Sequence, residues 1–251
     1  VEAGLNVRTT FRTPESFIEP LRELINEGKI SMKTIDLRVS EILRVKFELG
    51  LFDSPFVENT KAADTTVHTQ DDGAFAKQIN RESLVLLKNE GNLLPLDSDK
   101  IKNVLVTGPL AKEVNFMYSR YGPSDNPAVT VYEGIKNYGE KGCEVVDPDW
   151  PVTEIIPTPL TKEEQAGIDA AVEKAQNADI IIAVVGEDDK RVGESMSRTG
   201  LGLPGRQLQL VQALYATGKP VVLVLINGQP LTINWENKYI PAILEAWFPS
   251  V

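Results

Sequence analysis

Four carboxylic acids, Glu187, Asp188, Asp189 and Glu194, fall within Gly186–Arg198 (GEDDKRVGESMSR), interleaved with Lys190, Arg191 and Arg198. Carboxyl groups whose proton affinity is set by their surroundings can give and take protons near neutral pH. Cleavage of an acetal needs such a group to protonate the departing oxygen. Glu194 has the most distinctive neighbourhood: Gly193 frees the backbone beside it, and Arg198 is close enough in sequence to brace or tune it. The ordinary alternative for every one of these acids is a solvated surface loop.

The stretch follows the apolar run ADIIIAVV (Ala178–Val185), which reads as a buried strand. Similar runs recur: Asn103–Thr107, Cys143–Asp147 (CEVVD), Lys219–Gly228 (KPVVLVLING) and Pro241–Phe248 (PAILEAWF). Between them lie helical patterns at Val131–Tyr138, Glu163–Ala178 and Pro204–Gly218, with a further helix expected over Ala74–Asn89. Uniformly apolar strands separated by amphipathic helices predict an α/β/α sandwich around a mostly parallel sheet, covered on both faces. In such sheets ligands meet the loops beyond the carboxyl ends of the strands. Those loops are GPLAKEVNFMYSRYG, DPDWP, GEDDKRVGES and NGQP, so the acidic stretch lies on the expected face.

In the first of these loops Tyr118 and Tyr121 are candidates for the wall of a cleft, offering a flat surface to a sugar ring, whereas Phe116 is expected in the core. Trp150, Trp235 and Trp247 are expected to close core edges. Nucleotide binding is disfavoured, because neither G-x-G-x-x-G nor G-x-x-x-x-G-K-[ST] follows any strand, and Pro204 in LGLPGRQ reads as the first residue of a helix. His68 is the only histidine, expected as a solvated loop residue, so histidine-based triads and zinc sites are not expected. Asp147 and Asp149 read as turn chemistry around a proline. No metal and no cofactor is expected.

The 251 residues carry 26 basic and 36 acidic side chains, a formal charge of -10, which argues against a grip on nucleic-acid phosphates. Cys143 is the single cysteine; it excludes an internal disulfide and is expected as a small core residue. No apolar run approaches a membrane span. Thr13–Phe52 reads as two helices stopped at Gly28 and Gly50, with Ser31 and Thr34 as capping residues. Asp53–Gly73 reads as a linker. Both ends of the chain read as cuts through structured sequence, so an internal fragment of a longer protein is expected.

Several blocks, in order, resemble glycoside hydrolase family 3. They are AGLN (Ala3–Asn6), GKIS (Gly28–Ser31), VKFELGLFD (Val45–Asp53), RESLVLLKNEGNLLPL (Arg81–Leu96), GPLA (Gly108–Ala111), GESMSRTGLGLPGRQ (Gly193–Gln207), LVQAL (Leu210–Leu214), TGKPVVLVLINGQPL (Thr217–Leu231) and AILEAWFP (Ala242–Pro249). The resemblance implies that residues 1–52 end a TIM-like barrel, 53–73 link, and 74–251 form the family's sandwich domain, truncated at its C-terminus. It implies a retaining exo-β-glycosidase, most similar to β-glucosidases, acting on oligosaccharides or other glycosides.

By position in the family's G-E-x-x-S-R segment, the acid/base is Glu194, with Glu187 as fallback. Tyr118, Tyr121 and Arg198 are the candidate substrate contacts. The nucleophilic Asp belongs to an S-D-W-like segment that these residues lack, so the isolated chain is expected to be inactive without the barrel portion of its polypeptide. Asn6, with Val7 and Arg8, departs from the family's usual acidic and Met positions. Family habit implies a periplasmic or secreted protein. The alternative reading is a non-catalytic carbohydrate-binding or assembly module.

Overall fold

The computed structural model describes residues 1–118, 122, 128–138, 143–146 and 159–249. The chain divides into two units, Val1–Thr66 and Val67–Val251. The first holds α1 (Glu15–Asn26), α2 (Met32–Glu48) and α3 (Ala62–Thr66). Gly28 and Gly50 follow the first two helices at φ of 71° and 68°, a conformation that favours glycine. Ser31 caps α2, its hydroxyl accepting from the Thr34 amide at 3.1 Å. Pro20 inside α1 has no amide hydrogen for the Ser16 carbonyl, and that carbonyl instead accepts from Arg8 Nη1 at 3.4 Å. Neither α1 nor α2 has a buried residue.

The second unit opens with α4 (Gln70–Ser83), which begins four residues before the position expected. Thr69 sets that start: its hydroxyl accepts from the Asp72 amide, while Asp72 accepts from the Thr69 amide at 2.8 Å. The helix also stops earlier than expected. Residues Val85–Asn89 form β1, paired antiparallel with β6 (Ala242–Glu245) in the register Val85↔Glu245 to Asn89↔Ala242. Helical spacing in RESLVLLKN thus yields to a strand partner more than 150 residues away in sequence, as in the pairs Val85↔Glu245 and Asn89↔Ala242.

The remaining elements are β2 (Val104–Thr107), α5 (Asn115–Tyr118), α6 (Val131–Tyr138), β3 (Cys143–Val146), α7 (Lys162–Ala175), β4 (Ile180–Gly186), α8 (Gln207–Ala216), β5 (Val221–Ile226) and α9 (Asn234–Tyr239). The sheet order is β1-β6-β5-β4-β2-β3, and only β1 runs against the other five strands. The mostly parallel α/β sandwich read from the sequence is the fold of this unit, with one antiparallel edge strand added.

Alternation along the central strands builds a core on each face of the sheet. Ile181, Ala183, Val185, Leu223 and Leu225 pack with Ile168 and Ala171 of α7 and with Leu210, Val211 and Leu214 of α8. Ile180, Ile182, Val184, Val222, Val224 and Ile226 pack on the other face with Val106, Leu110 and Phe116. Every residue of β4 and β5 is buried, which is why both read as unbroken apolar runs. Each Val, Leu or Ile among them contributes about 1.5–3 kcal/mol by leaving water.

Polar groups fix the ends of the elements. Asp179 accepts from the Lys102 and Asn103 amides at 2.8 Å each, tying the start of β4 to that of β2. Thr161 and Glu164 form a capping box at α7, and Glu164 also takes Arg206 Nε at 3.1 Å. Because Gly205 has φ of 62° and Arg206 is the cap residue, α8 begins at Gln207 and Pro204 is not its first residue. The turn at Gly205–Arg206 frees Gln207 for a different task.

Candidate functional site

Strands β2, β4, β5 and β6 end on one side of the sheet, at Thr107, Gly186, Ile226 and Glu245. Two glycines let the chain leave that edge. Gly108 and Gly186 have φ of 107° and 136°, and a Cβ at either would stand 2.1 Å from the Val184 carbonyl oxygen or 1.9 Å from that of Ile226. No other residue fits so close to a neighbouring backbone. Gly186 is also held from the helical side: Gln207, fully buried, accepts from its amide at 2.7 Å and donates to its carbonyl at 2.9 Å.

Glu187 comes next, anchored by its own amide, which donates to Ile226 O at 2.7 Å. Its side chain has no exposed surface. Oε1 accepts from Gln229 Nε2 at 2.7 Å and lies 2.7 Å from Arg198 Nη2. That Arg198 approach is an ion pair lacking hydrogen-bond alignment, and Glu187 Oε2 is buried with no hydrogen-bond partner. Burial pushes the Glu187 carboxyl above its ordinary value of 4.5, against the Gln229 hydrogen bond and the charges of Arg198 and Arg191, which pull it down. Arg198 Nη1 donates to the Gly202 carbonyl at 3.0 Å, and the Thr232 amide donates to Leu201 O at 2.7 Å. Both ends of the loop after β4 are therefore fixed to the body of the unit.

The residues between them are more open. Asp188 pairs with Arg191 three positions on. Glu194 is exposed, and the backbone on either side of it is left-handed, with Gly193 at φ of 135° and Ser195 at 64°. A non-glycine residue in that region costs about 1 kcal/mol or more and tends to occur where local geometry serves function. Within the loop a hollow of about 380 Å³ is lined by residues that include Lys190, Arg191, Ser197, Arg198 and Thr199.

Tyr118 closes α5 on the loop after β2 and is half-buried. Its carbonyl accepts from the Gly122 amide at 2.6 Å, with a separation that leaves no room for a side chain at Gly122. Since β2 and β4 are neighbours, Tyr118 and Glu194 lie on loops from adjacent strand ends. Phe116 is in the core, stacked on Phe248 with centroids 5.6 Å apart. Tyr121, Asp147, Asp149 and Trp150 lie outside the described residues. His68 is exposed at φ of 61°. Trp235 joins Tyr215 and Tyr239 in an aromatic cluster, and Trp247 Nε1 donates to Ser83 O at 2.9 Å. Among the described residues no group of three or more His, Cys, Asp or Glu side chains is placed to hold a metal ion.

Three contributors escaped the sequence reading. Gln207 and Gln229 sit inside the quoted blocks PGRQ and NGQP, yet nothing in their residue type announces a buried hydrogen-bonding task. Glu245, at the end of β6, is the third. It is buried, its Oε1 accepts from the Trp247 amide at 2.9 Å, and burial pushes its carboxyl upward. A charged residue ending an apolar strand was its one visible signal.

Residues 84–250 match the glycosyl hydrolase family 3 C-terminal domain. A β-xylosidase of Formosa agariphila is 38% identical over 244 residues, covering 91% of this chain and 31% of that protein. A periplasmic β-glucosidase of Salmonella typhimurium is 36% identical over 256 residues, covering 93% of this chain and 33% of the relative. A crystal structure of a β-glucosidase from Listeria innocua in complex with isofagomine superposes with a TM-score of 0.82 at 30% identity, over 98% of this chain and 33% of the other. The chain thus spans about a third of the length of these relatives.

Proposed function

Because the chain belongs to glycosyl hydrolase family 3, we propose that it supplies the acid/base carboxyl of a retaining exo-β-glycosidase, and that this carboxyl is Glu194. The observation that carries the assignment is the contrast within one loop. Glu194 is exposed between two left-handed residues, whereas the fallback, Glu187, is sealed behind Arg198 and Gln229 with no surface to offer a substrate. In this reading Glu194 protonates the departing oxygen as a nucleophilic carboxylate attacks the anomeric carbon, then takes a proton from the water that releases the sugar. Retention places the two carboxyls about 5–5.5 Å apart. No S-D-W segment occurs in the chain, so the nucleophile belongs to a barrel portion of the same polypeptide, of which residues 1–52 are the end. The 251 residues alone are then inactive.

The proposed substrates are oligosaccharides or other glycosides with a terminal β-linked sugar. Glucose is the first choice; the β-xylosidase among the relatives keeps xylose as the alternative to test beside it. Tyr118 and Arg198 are proposed near the sugar, with Tyr121. A periplasmic or secreted location is proposed on the precedent of the Salmonella relative. No helix among the described residues is long and apolar enough to cross a membrane.

The test uses the full reading frame containing this chain, with aryl β-glucoside and β-xyloside as substrates. Glu194→Gly should lower turnover by about 10²–10⁴, and azide should restore it with a β-glycosyl azide as product. Unimpaired turnover moves the acid/base elsewhere, with Glu187 next. Absence of wild-type activity on every aryl glycoside favours a carbohydrate-binding or assembly module.

A further inference from the structure

The hollow in the loop after β4 has an unusual lining. Its polar side chains are Lys190, Arg191, Ser197, Arg198 and Thr199: three cations, two hydroxyls and no carboxylate, in a chain where acids outnumber bases 36 to 26. Sugar hydroxyls both donate and accept, and a wall built to hold them would offer acceptors as well as donors. A wall dominated by donors suits an oxyanion. Arg191 is paired with Asp188 and Arg198 with Glu187, while Lys190 has no ion pair among the described residues. The wall therefore keeps one uncompensated positive charge. The Arg198 side chain is only 10% exposed, and its Nε and Nη2 have no hydrogen-bond partner.

We propose that this hollow receives an acidic group, a carboxylate or a sulfate, carried by the moiety that departs when the glycosidic bond breaks. The inference rests on Glu194 being the acid/base, since the group that protonates the leaving oxygen stands beside the leaving moiety. The substrate class is then a β-glycoside whose aglycone side is a uronate or a sulfated sugar. Lys190 supplies the long-range attraction; the two arginines and the hydroxyls of Ser197 and Thr199 supply donors. Arg191 and Arg198 keep their internal partners throughout, so the hollow binds its anion by adding contacts, without dismantling the loop's anchors.

The test titrates the 251-residue chain with sodium glucuronate, glucose 6-sulfate and glucose at matched ionic strength, following backbone amide shifts across Lys190–Gly200. Both acids should shift these amides and glucose should not, and the stronger of the two names the natural group. Lys190→Gln, at an exposed position, should weaken the acids about fivefold, and Glu194→Gln should retain their binding. Equal shifts from glucose, no shift from either acid, or unchanged affinity in Lys190→Gln overturns the proposal. Failure of the functional reading looks different: full-length Glu194→Gly would keep its turnover while acid binding persisted.

Discussion

Removing Arg198 exposes what the buried carboxyl beneath it requires. Glu187 has no exposed side-chain surface, and Arg198 Nη2 stands 2.7 Å from the oxygen that Gln229 also contacts. A buried carboxylate stripped of its partner costs about 3–5 kcal/mol. Glu187 can escape that cost by binding a proton, because burial already holds its folded-state pKa above the ordinary 4.5, and losing Arg198 removes one of the charges that pull it down. A raised folded value means this group favours the folded state most at low pH and loses that contribution as pH rises through the folded pKa.

In Arg198→Leu the penalty at low pH is therefore confined to the lost Gly202 hydrogen bond and packing, about 1–2 kcal/mol. Above the wild-type folded pKa it grows by up to about 1.4 kcal/mol per pH unit until it reaches the 3–5 kcal/mol ceiling. Urea unfolding of the chain at a series of pH values, read by tryptophan fluorescence, measures it. The Glu187→Gln/Arg198→Leu double variant should lose the pH dependence and recover part of the stability at high pH. A penalty for Arg198→Leu that is equal at pH 5 and pH 8 would refute the reasoning.

Two further substitutions test neighbouring parts of the structure. Gly186→Ala would place a Cβ 1.9 Å from Ile226 O at a φ of 136°, so β4 and β5 must separate; the expected loss exceeds about 3 kcal/mol, and an unfolding midpoint near that of wild type would contradict the close approach. Glu236 on α9 is buried, and burial pushes its carboxyl above 4.5. Glu236→Gln should raise the melting temperature at pH 7 and leave it unchanged below pH 4.5, where both side chains are neutral; a gain that is the same at both pH values would show that charge is not its cause.

The parallel strands were legible because burial on both faces writes itself as an uninterrupted apolar run, as in Ile180–Gly186 and Val221–Ile226. Val85–Asn89 was not. Its local pattern continues that of α4, and only β6, far along the chain, makes it a strand. The start of α4 had a readable signal in Thr69 and Asp72, a capping pair set in an otherwise aperiodic segment. Pro204 misled because proline suits a first helical turn, while Gly205 and the demands of Gln207 put the start later. In the acidic loop, Gly193 and Arg198 already set Glu194 apart in the sequence, but nothing local shows that Glu187 is sealed. What seals it is Gly186 pressed on Ile226 and Gln229 arriving from the loop after β5, facts of sheet register that no local window contains.

The ion pair between Glu187 and Arg198 brackets residues 188–197, and both of its members are held by groups outside that bracket: Ile226, Gln229 and the Gly202 carbonyl. The intervening segment is a closed loop whose ends stay put whatever lies between them. Doubling its length costs only about 0.6 kcal/mol of closure entropy. The bracket thus behaves as a socket: the segment between the two charged ends can change in length and composition, altering what the loop presents, while the sheet beneath keeps its register.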